Sequence, residues 1–352
     1  MASLGVSQTG ARPVDAERPA RPRALRVPSA LAAPHPGVWA VTAALAATDA
    51  IWLATTDIAV EPAGFLGVAA AVAVLLAAAR LWGRAYPEPT LRGMALSTAC
   101  LMAFTVSIAL FHYLAATLDR PFIDEALARA ETLLGFDWPA HRAFLKAHPD
   151  LAWGLALAYH SSGPQIAVVV IVLSALRRLG RLWAFVRLFA VSLCVVIAVS
   201  AVFPARGPWA TYAHQEAASE DIETVGATWH LEPLARLRGE TAPVIALGDI
   251  RGLATFPSFH VCLAVITAWA LAPVPVVGFL ALLLNAAIVV ATLRAGGHYL
   301  PDVLAGGLLA LALVARQSLA GRLTPRRHLS AGRAASRPRS WRIRSAVMRA
   351  PS

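Results

Sequence analysis

Two short segments in the last third of the chain combine histidine with residues that could move a phosphoryl group. One is T-L-R-A-G-G-H-Y-L-P-D at 292–302, in which Asp302 follows His298 by four positions. The other is F-P-S-F-H at 256–260, which ends in His260. A histidine attacks phosphorus only when neutral, and a carboxylate one helical turn away can hold the proton on its far ring nitrogen. The spacing predicts a nucleophile and its orienting group, with a second histidine as the acid.

Two prolines indicate that both histidines stand where helices begin, because proline is tolerated only in the first turn of a helix. Pro301 places His298 at a helix N-cap or just before it. Pro257 places His260 in the first turn of another helix. The unpaired N–H groups and positive dipole ends of both helices would then point at one site, which suits a phosphate.

Two arginines could complete this anion site. Arg206 lies in P-A-R-G-P at 204–208, directly after an apolar run, and Arg294 precedes His298 by four residues. A guanidinium group binds phosphate oxygens in a bidentate way and stabilises charge during phosphoryl transfer. An arginine at the end of an apolar run can also be a simple membrane-interface anchor, so each position alone leaves both roles open.

The composition places these motifs in a membrane protein. Of the 352 residues 58% are hydrophobic and 14% are charged, whereas roughly a quarter of the residues of a soluble domain are charged. A membrane span needs about twenty predominantly apolar residues. Eight runs meet this condition: 38–56, 62–82, 94–118, 151–176, 182–203, 256–271, 274–293 and 300–319. The chain is therefore predicted to be an all-α, polytopic integral membrane bundle of about eight transmembrane helices.

The charges alternate from one connection to the next, within a formal net charge of +11. Arginines gather at 12–26, 80–92, 177–181 and 316–349, and acidic residues gather at 57–61, 119–137 and 216–223. By the positive-inside rule both termini are cytoplasmic, and both histidine motifs face the outer side. We expect a protein of the bacterial inner membrane with its site on the periplasmic side. Its basic tail would contact anionic lipid head groups, not nucleic acid.

Two further segments carry polar residues whose roles the sequence leaves open. Residues 119–139 predict an amphipathic helix in the outer interface, because charges such as Asp124 and Glu131 are costly at mid-membrane. This helix could roof the substrate entrance or only pack against the bundle. Residues 159–165 could line a head-group cavity, or His160 could hydrogen-bond a neighbouring helix.

The cysteines indicate no metal or redox chemistry. Cys100, Cys194 and Cys262 all fall inside predicted spans, and their spacing matches neither a disulfide framework nor a metal site. We therefore expect neither a metal nor another cofactor.

Three segments carry a resemblance to a known family. P-A-R-G-P at 204–208, F-P-S-F-H at 256–260 and G-H-Y-L-P-D-V-L-A-G at 297–306 resemble the motifs of the type 2 phosphatidic acid phosphatase superfamily. The inositol phosphorylceramide synthase branch is the most similar. The resemblance implies a metal-independent double displacement. Its site residues would be His298 forming a phosphohistidine, Asp302 orienting it, His260 protonating the leaving group, and Arg206, Arg294 and Ser258 holding the phosphate.

The resemblance also divides the chain. It covers about 94–319 and implies a six-helix phosphatase-type core at 93–320, which leaves two extra transmembrane helices at 37–92. A disordered cytoplasmic arm is predicted at 1–36, which is rich in proline, alanine and arginine, and a basic disordered cytoplasmic tail at 321–352.

The motifs depart from the family pattern at three positions. Val199 stands where the phosphatases of soluble head groups have a lysine, Phe259 stands where a glycine precedes the histidine, and Arg294 lies four rather than six residues before the motif histidine. These changes resemble the ceramide-directed branch.

The predicted activity is that of a lipid phosphatase or an inositolphosphotransferase-like enzyme acting on a phospholipid or sphingolipid phosphate ester. Water or an alcohol such as inositol would accept the transferred group, and the sequence does not choose between them. The alternative is a non-catalytic member of the fold that acts as a membrane transporter or scaffold. A transporter has no need of two histidines at helix starts beside arginines.

Overall fold

The computed structural model describes residues 36–84, 88–213, 221–222, 224–239 and 243–323. Its α-helices are α1 (Pro36–Thr55), α2 (Pro62–Arg84), α3 (Pro89–Ala116), α4 (Asp124–Leu133), α5 (Trp138–Ala147), α6 (Pro149–His160), α7 (Ser162–Ala175), α8 (Leu179–Val202), α9 (Pro208–Tyr212), α10 (Val225–Thr228), α11 (Leu231–Gly239), α12 (Phe259–Leu271), α13 (Pro275–Ala291) and α14 (Leu300–Leu323). The remaining elements are strands β1 (Ala59–Val60) and β2 (Val244–Ile245) and a 3₁₀ turn at Leu247–Asp249.

Parts of the predicted organisation lie outside the described residues. These are positions 1–35 of the predicted arm, positions 324–352 of the predicted tail, and the acidic residues Glu216, Glu220 and Glu223. The described ends of the arm and the tail are helical, since α1 begins at Pro36 and α14 continues to Leu323.

All eight predicted apolar runs coincide with helices, but the helices differ in length. By length and composition, α1, α2, α3, α8 and α14 can cross a membrane. The fourth run is broken into α6 and α7, which are bent by 50° and count as a sixth span if taken together. The remaining two runs form α12 and α13, which have only 13 and 17 residues. The all-α polytopic membrane bundle is confirmed, with five or six helices of spanning length in its described part.

The core of the bundle lies where α3, α7, α8 and α12 meet. Phe104 of α3 and Phe189 of α8 meet edge to face with ring centres 6.3 Å apart, and Ile266 of α12 is fully buried beside them. The sequence of α12, FHVCLAVITAWAL, is apolar on all sides. A helix of that kind is stable only when other helices surround it, so α12 takes the central position.

The two N-terminal helices pack on the outside of this core. Both α1 and α2 contact α3 and leave most of their surface exposed. The connection between them is tied to a distant loop by a parallel pair of β1 and β2, in which Glu61 N donates to Ile245 O over 3.0 Å. Helices α1 and α2 are thereby attached at the end of the bundle where the histidine motifs lie.

Helix α4 coincides with the predicted amphipathic segment. Its buried residues are Asp124, Leu127 and Glu131. Its opposite face is exposed and carries the ion pair between Arg129 and Glu125, 3.1 Å apart. Leu133 and Leu134 at its C-terminal end are exposed. The helix therefore buries two carboxylates and exposes two leucines, and the reason lies in the neighbouring loops described below.

Candidate active site

His298 is held from both sides of its ring just before α14. Its Nδ1 lies 3.4 Å from Asp302 Oδ2, a long hydrogen bond, and its Nε2 lies 3.1 Å from Ser258 Oγ. All three residues are buried. In a neutral imidazole one nitrogen carries the proton and the other has a lone pair. With the proton held on Nδ1 by Asp302, the lone pair of Nε2 points toward Ser258.

The surroundings of His298 also favour the form of the ring that can attack. Burial lowers the pKa of His298 from its usual 6.5 to about 4, and a hydrogen bond to the backbone of Thr255 opposes this shift. The ring is therefore neutral at physiological pH. A neutral ring with an oriented lone pair can act as a nucleophile.

His260 faces His298 from the start of α12. Ser258 is the N-cap of this helix, so His260 lies in its first turn, as the proline predicted. The two imidazole rings are 6.3 Å apart between centres and inclined by 61°. On its other side His260 packs against Tyr159, with ring centres 4.5 Å apart and Nδ1 3.4 Å from the phenolic oxygen. No feature of the sequence singles out Tyr159 as the partner of His260.

The start of α14 differs from the prediction in how its N–H groups are used. At α14, Tyr299 N donates to Asp302 Oδ2 over 3.0 Å and Leu300 N donates to Glu131 Oε2 over 2.8 Å. Pro301 has no N–H group, and Asp302 N donates to Tyr299 O. These groups are satisfied by the protein itself, so they do not point at a ligand as we expected. The carboxylates hold the start of α14 in place.

Ser258 takes part in both histidine motifs. Its hydroxyl oxygen accepts from Val261 N over 3.4 Å as the cap of α12, and the same hydroxyl reaches His298 Nε2. Its N–H donates to Asp302 O over 3.0 Å. A single residue thus joins the starts of α12 and α14. The structure brings four of the predicted site residues together: Ser258, His260, His298 and Asp302.

The two predicted arginines lie apart from this group. The guanidinium of Arg206 lies over the ring of Phe122, 4.9 Å from its centre, and its side chain is 47% exposed. Arg294 is buried in the turn before α14, and the pKa of His141 is lowered by burial and, to a lesser extent, by the charge of Arg294. Neither arginine is among the described residues that line the cavity of the histidines. Their role in phosphate binding stays a prediction.

A cavity of about 340 Å³ opens beside the two histidines and has a polar and an apolar part. The polar part is lined by His298, His260, His230, Tyr159 and Arg251. The apolar part is lined by Ile108, Ile166, Phe189, Leu193, Ile197 and Leu263. The apolar residues come from α3, α7, α8 and α12, so this part of the cavity extends between helices of the bundle.

His230 and Arg251 are cavity residues that the sequence did not reveal. His230 is buried, its Nε2 lies 2.9 Å from Arg206 O, and burial lowers its pKa to about 4. Arg251 donates through its side chain to Gly248 O over 2.6 Å. Both lie in the long connection between α8 and α12, in a part of it where no motif or periodicity marks them.

For residues 159–165 the sequence left two roles open, lining a head-group cavity or a hydrogen bond from His160 to a neighbouring helix, and only part of the segment lines the cavity. Tyr159, Ser162 and Gly163 line it. His160 instead approaches Ile222 O with its Nε2 over 2.9 Å. The neighbouring polar residue Gln165 accepts a hydrogen bond from Asn285 of α13 over 2.8 Å.

A second cavity of about 690 Å³ adjoins the first. Its charged and aromatic lining consists of Trp229, Glu232, Arg236, Asp249 and Arg251. Trp229, Arg251 and two residues between α11 and α12 line both cavities. The histidines are therefore flanked by an apolar space on one side and a polar, open space on the other.

Comparison with known proteins adds one match. A family model described as the PAP2 superfamily matches residues 125–316, more than half of the chain. The matched range includes all six predicted site residues. Searches of curated proteins and of solved structures returned no match. The match identifies a superfamily and does not distinguish its branches.

Proposed function

We propose that this protein, which belongs to the PAP2 superfamily, acts on a phospholipid or sphingolipid phosphate ester through a phosphohistidine. Membership makes it a phosphatase-type enzyme of the membrane. The lipid substrate, the histidine nucleophile and the action at the outer face are our proposals. The observation that carries them is the placement of His298 between Asp302 and Ser258, opposite His260, in a cavity with polar and apolar parts.

The first half of the reaction uses the two histidines in turn. His298 Nε2 attacks phosphorus, a nitrogen–phosphorus bond forms, and the bond from phosphorus to the leaving oxygen breaks. His260 gives its proton to that oxygen. Asp302 stabilises the positive charge that develops on the imidazole of His298.

The second half of the reaction regenerates the enzyme. Water or an alcohol attacks the phosphohistidine and gives its proton to His260, and the nitrogen–phosphorus bond breaks.

The hydroxyl of Ser258, which contacts Nε2 of His298 in this structure, would donate to a phosphate oxygen in the substrate complex. Arg206 would reach the phosphate by leaving the ring of Phe122 and its ion pair with Asp124, 3.8 Å away, since its side chain is half exposed while its backbone is fixed.

The shape of the first cavity supports a lipid substrate. A phosphate at the histidines would have the aliphatic side chains of α7, α8 and α12 beside it, including Ile166, Ile197 and Leu263. Apolar groups gain free energy when such surfaces bury them. A ligand with a charged head and an apolar body therefore fits better than a soluble phosphate ester. The charge alternation of the sequence supports a site on the outer, periplasmic side.

The second cavity supports transfer to an alcohol as well as hydrolysis. It shares a wall with the histidine cavity and carries both carboxylates and guanidinium groups, which can accept from and donate to hydroxyl groups. An acceptor such as inositol would be held there. This is also the activity implied by the resemblance to the inositol phosphorylceramide synthase branch.

The test is an assay of purified protein with lipid donors labelled in the phosphate, with and without inositol. Released phosphate indicates a phosphatase, and a labelled phosphoinositol product indicates a transferase. The His298→Ala variant is the control for contaminating activity. If neither product nor phosphohistidine forms from any phospholipid or sphingolipid donor, the proposal is wrong and the transporter or scaffold alternative stands.

A further inference from the structure

Asp124, the first residue of α4, holds two distant parts of the site at once. Its side chain is 6% exposed. Its carboxylate accepts from Gly207 N over 2.8 Å, from Arg206 N over 3.0 Å, and from the phenolic O–H of Tyr299 over 3.2 Å. A buried carboxylate is stable only when such donors replace water. Arg206 and Gly207 lie in the loop after α8, and Tyr299 follows His298 in the loop before α14. The carboxylate of Asp124 therefore joins these two loops.

The same two loops touch each other on a second side. Gly207 has φ of +89° and Gly297 has φ of +60°, a region that favours glycine. A Cβ atom on Gly207 would collide with the carbonyl oxygen of Gly297. The loops are thus in backbone contact, and a shift of one displaces the other, with His298 next in the chain.

The rest of the buried face of α4 repeats this connection. Leu127 packs in one cluster with Ala205 and Tyr299, which belong to the two loops. One turn further, Glu131 accepts from Leu300 N at the start of α14. Three residues on one face of α4 therefore contact the segments on either side of the site. This explains why the helix buries carboxylates and leaves leucines exposed.

We infer that Asp124 is a positioning residue of the reaction, which sets the place of the His298 loop relative to the Arg206 loop. This inference rests on the proposed function. Asp124 does not line the histidine cavity and touches no reacting atom. It acts through Tyr299, through the backbone of Arg206 and Gly207, and through an ion pair of 3.8 Å with Nε of the Arg206 guanidinium. A misplacement of about 1 Å can reduce a rate by about a hundredfold, so a residue of this kind affects turnover more than substrate binding.

The test compares Asp124→Asn with Glu125→Gln. Asparagine keeps the size of the side chain but loses the charge and half of its acceptor capacity. We expect kcat and the rate of phosphohistidine formation to fall together, by about ten- to a hundredfold, with KM changed less than about twofold. Glu125 is adjacent on the same helix, its side chain is 89% exposed and it forms an ion pair with Arg129. Its variant should therefore retain the parent values.

A double-mutant cycle separates positioning from a loss of stability. Tyr299→Phe removes one donor to Asp124 and keeps the ring, so it should lower kcat less than Asp124→Asn does. Since both changes break the same link, the double variant should be no slower than Asp124→Asn by more than about twofold. Rates are expressed per folded molecule, from thermal unfolding of each variant in detergent.

Three results would overturn the inference. They are a parental kcat per folded molecule in Asp124→Asn, a loss of activity that follows only the folded fraction, and multiplicative effects in the double variant. A parent protein that forms no phosphohistidine would instead contradict the proposed function, whatever the variants do.

Discussion

The starts of α12 and α14 carry one histidine each, yet the protein holds them differently. At α14 two acidic side chains hold the segment that carries His298. Asp302 contacts the ring of His298 and accepts from Tyr299 N, and Glu131 accepts from Leu300 N. At α12 His260 packs on the ring of Tyr159 and meets its hydroxyl at 3.4 Å. The His298 imidazole is held by a hydrogen bond to a buried carboxyl group, and the His260 imidazole rests against an aromatic ring. This difference suits a nucleophile, which needs a defined lone pair, and an acid, which must move a proton both ways.

Removal of the nucleophile should have the largest effect. In His298→Ala neither turnover nor covalent intermediate is expected, because the variant lacks the nitrogen that is proposed to attack phosphorus. The measurement is acid-labile, base-stable phosphate on the protein after quenching with labelled donor. The matched variant is His260→Ala. Intermediate that persists in His298→Ala and disappears in His260→Ala would exchange the two roles.

Loss of the orienting carboxylate should come next. Asp302→Asn keeps the shape of the side chain but weakens the control of the Nδ1 proton, so fewer molecules present the lone pair on Nε2. We expect a rate between those of His298→Ala and His260→Ala. Steady-state assays with a lipid phosphate donor measure it. A rate equal to that of the parent protein would show that Asp302 only caps α14.

Loss of the acid should be less severe. His260→Ala is expected to slow turnover by about a hundred- to ten-thousandfold, the range for a lost general acid. A donor with a good leaving group needs no proton, so it should still form the phosphohistidine at a substantial rate. A variant that is equally slow with good and poor leaving groups would contradict the role of His260 as an acid.

The pH profile tests the burial of His298. Because its pKa is lowered to about 4, the ring stays neutral as the pH falls past 6.5, and attack should be lost only as the pH approaches 4. With a donor that has a good leaving group, formation of the phosphohistidine does not depend on the acid. The pH at which the rate of this step falls therefore reports the pKa of His298. A limb near pH 6.5 would mean that the ring is solvated in the working enzyme.

The smallest effect is expected from Tyr159→Phe. The change removes a hydroxyl 3.4 Å from His260 Nδ1 and keeps the packed ring. Turnover should fall by less than about tenfold, since a net neutral hydrogen bond contributes about 0.5–1.5 kcal/mol. The same variant should leave formation of the intermediate from a good leaving group unchanged. A slower first step with that donor would indicate that Tyr159 also positions His298.

The sequence determined the features that depend on local spacing. Apolar runs of sufficient length can only form helices in a membrane, because each backbone N–H and C=O must be satisfied within the segment. Proline is tolerated only in the first turn of a helix, and this rule predicted that His260 and His298 stand where helices begin. The interval of four residues brought Asp302 to the ring of His298, and the match to the PAP2 superfamily covers one continuous range, 125–316.

Only the tertiary structure decided which charges are buried and where side chains point. Asp124 and Glu131 looked like solvated charges of an interfacial helix, yet they accept N–H groups from residues 82 and 169 positions away. The guanidinium of Arg206, whose role in phosphate binding stays a prediction, lies over Phe122, and His230 enters the cavity from a segment without periodicity. The energy of a buried carboxylate or an arginine depends on its partners. Those partners come from other parts of the chain, so local spacing could not identify them.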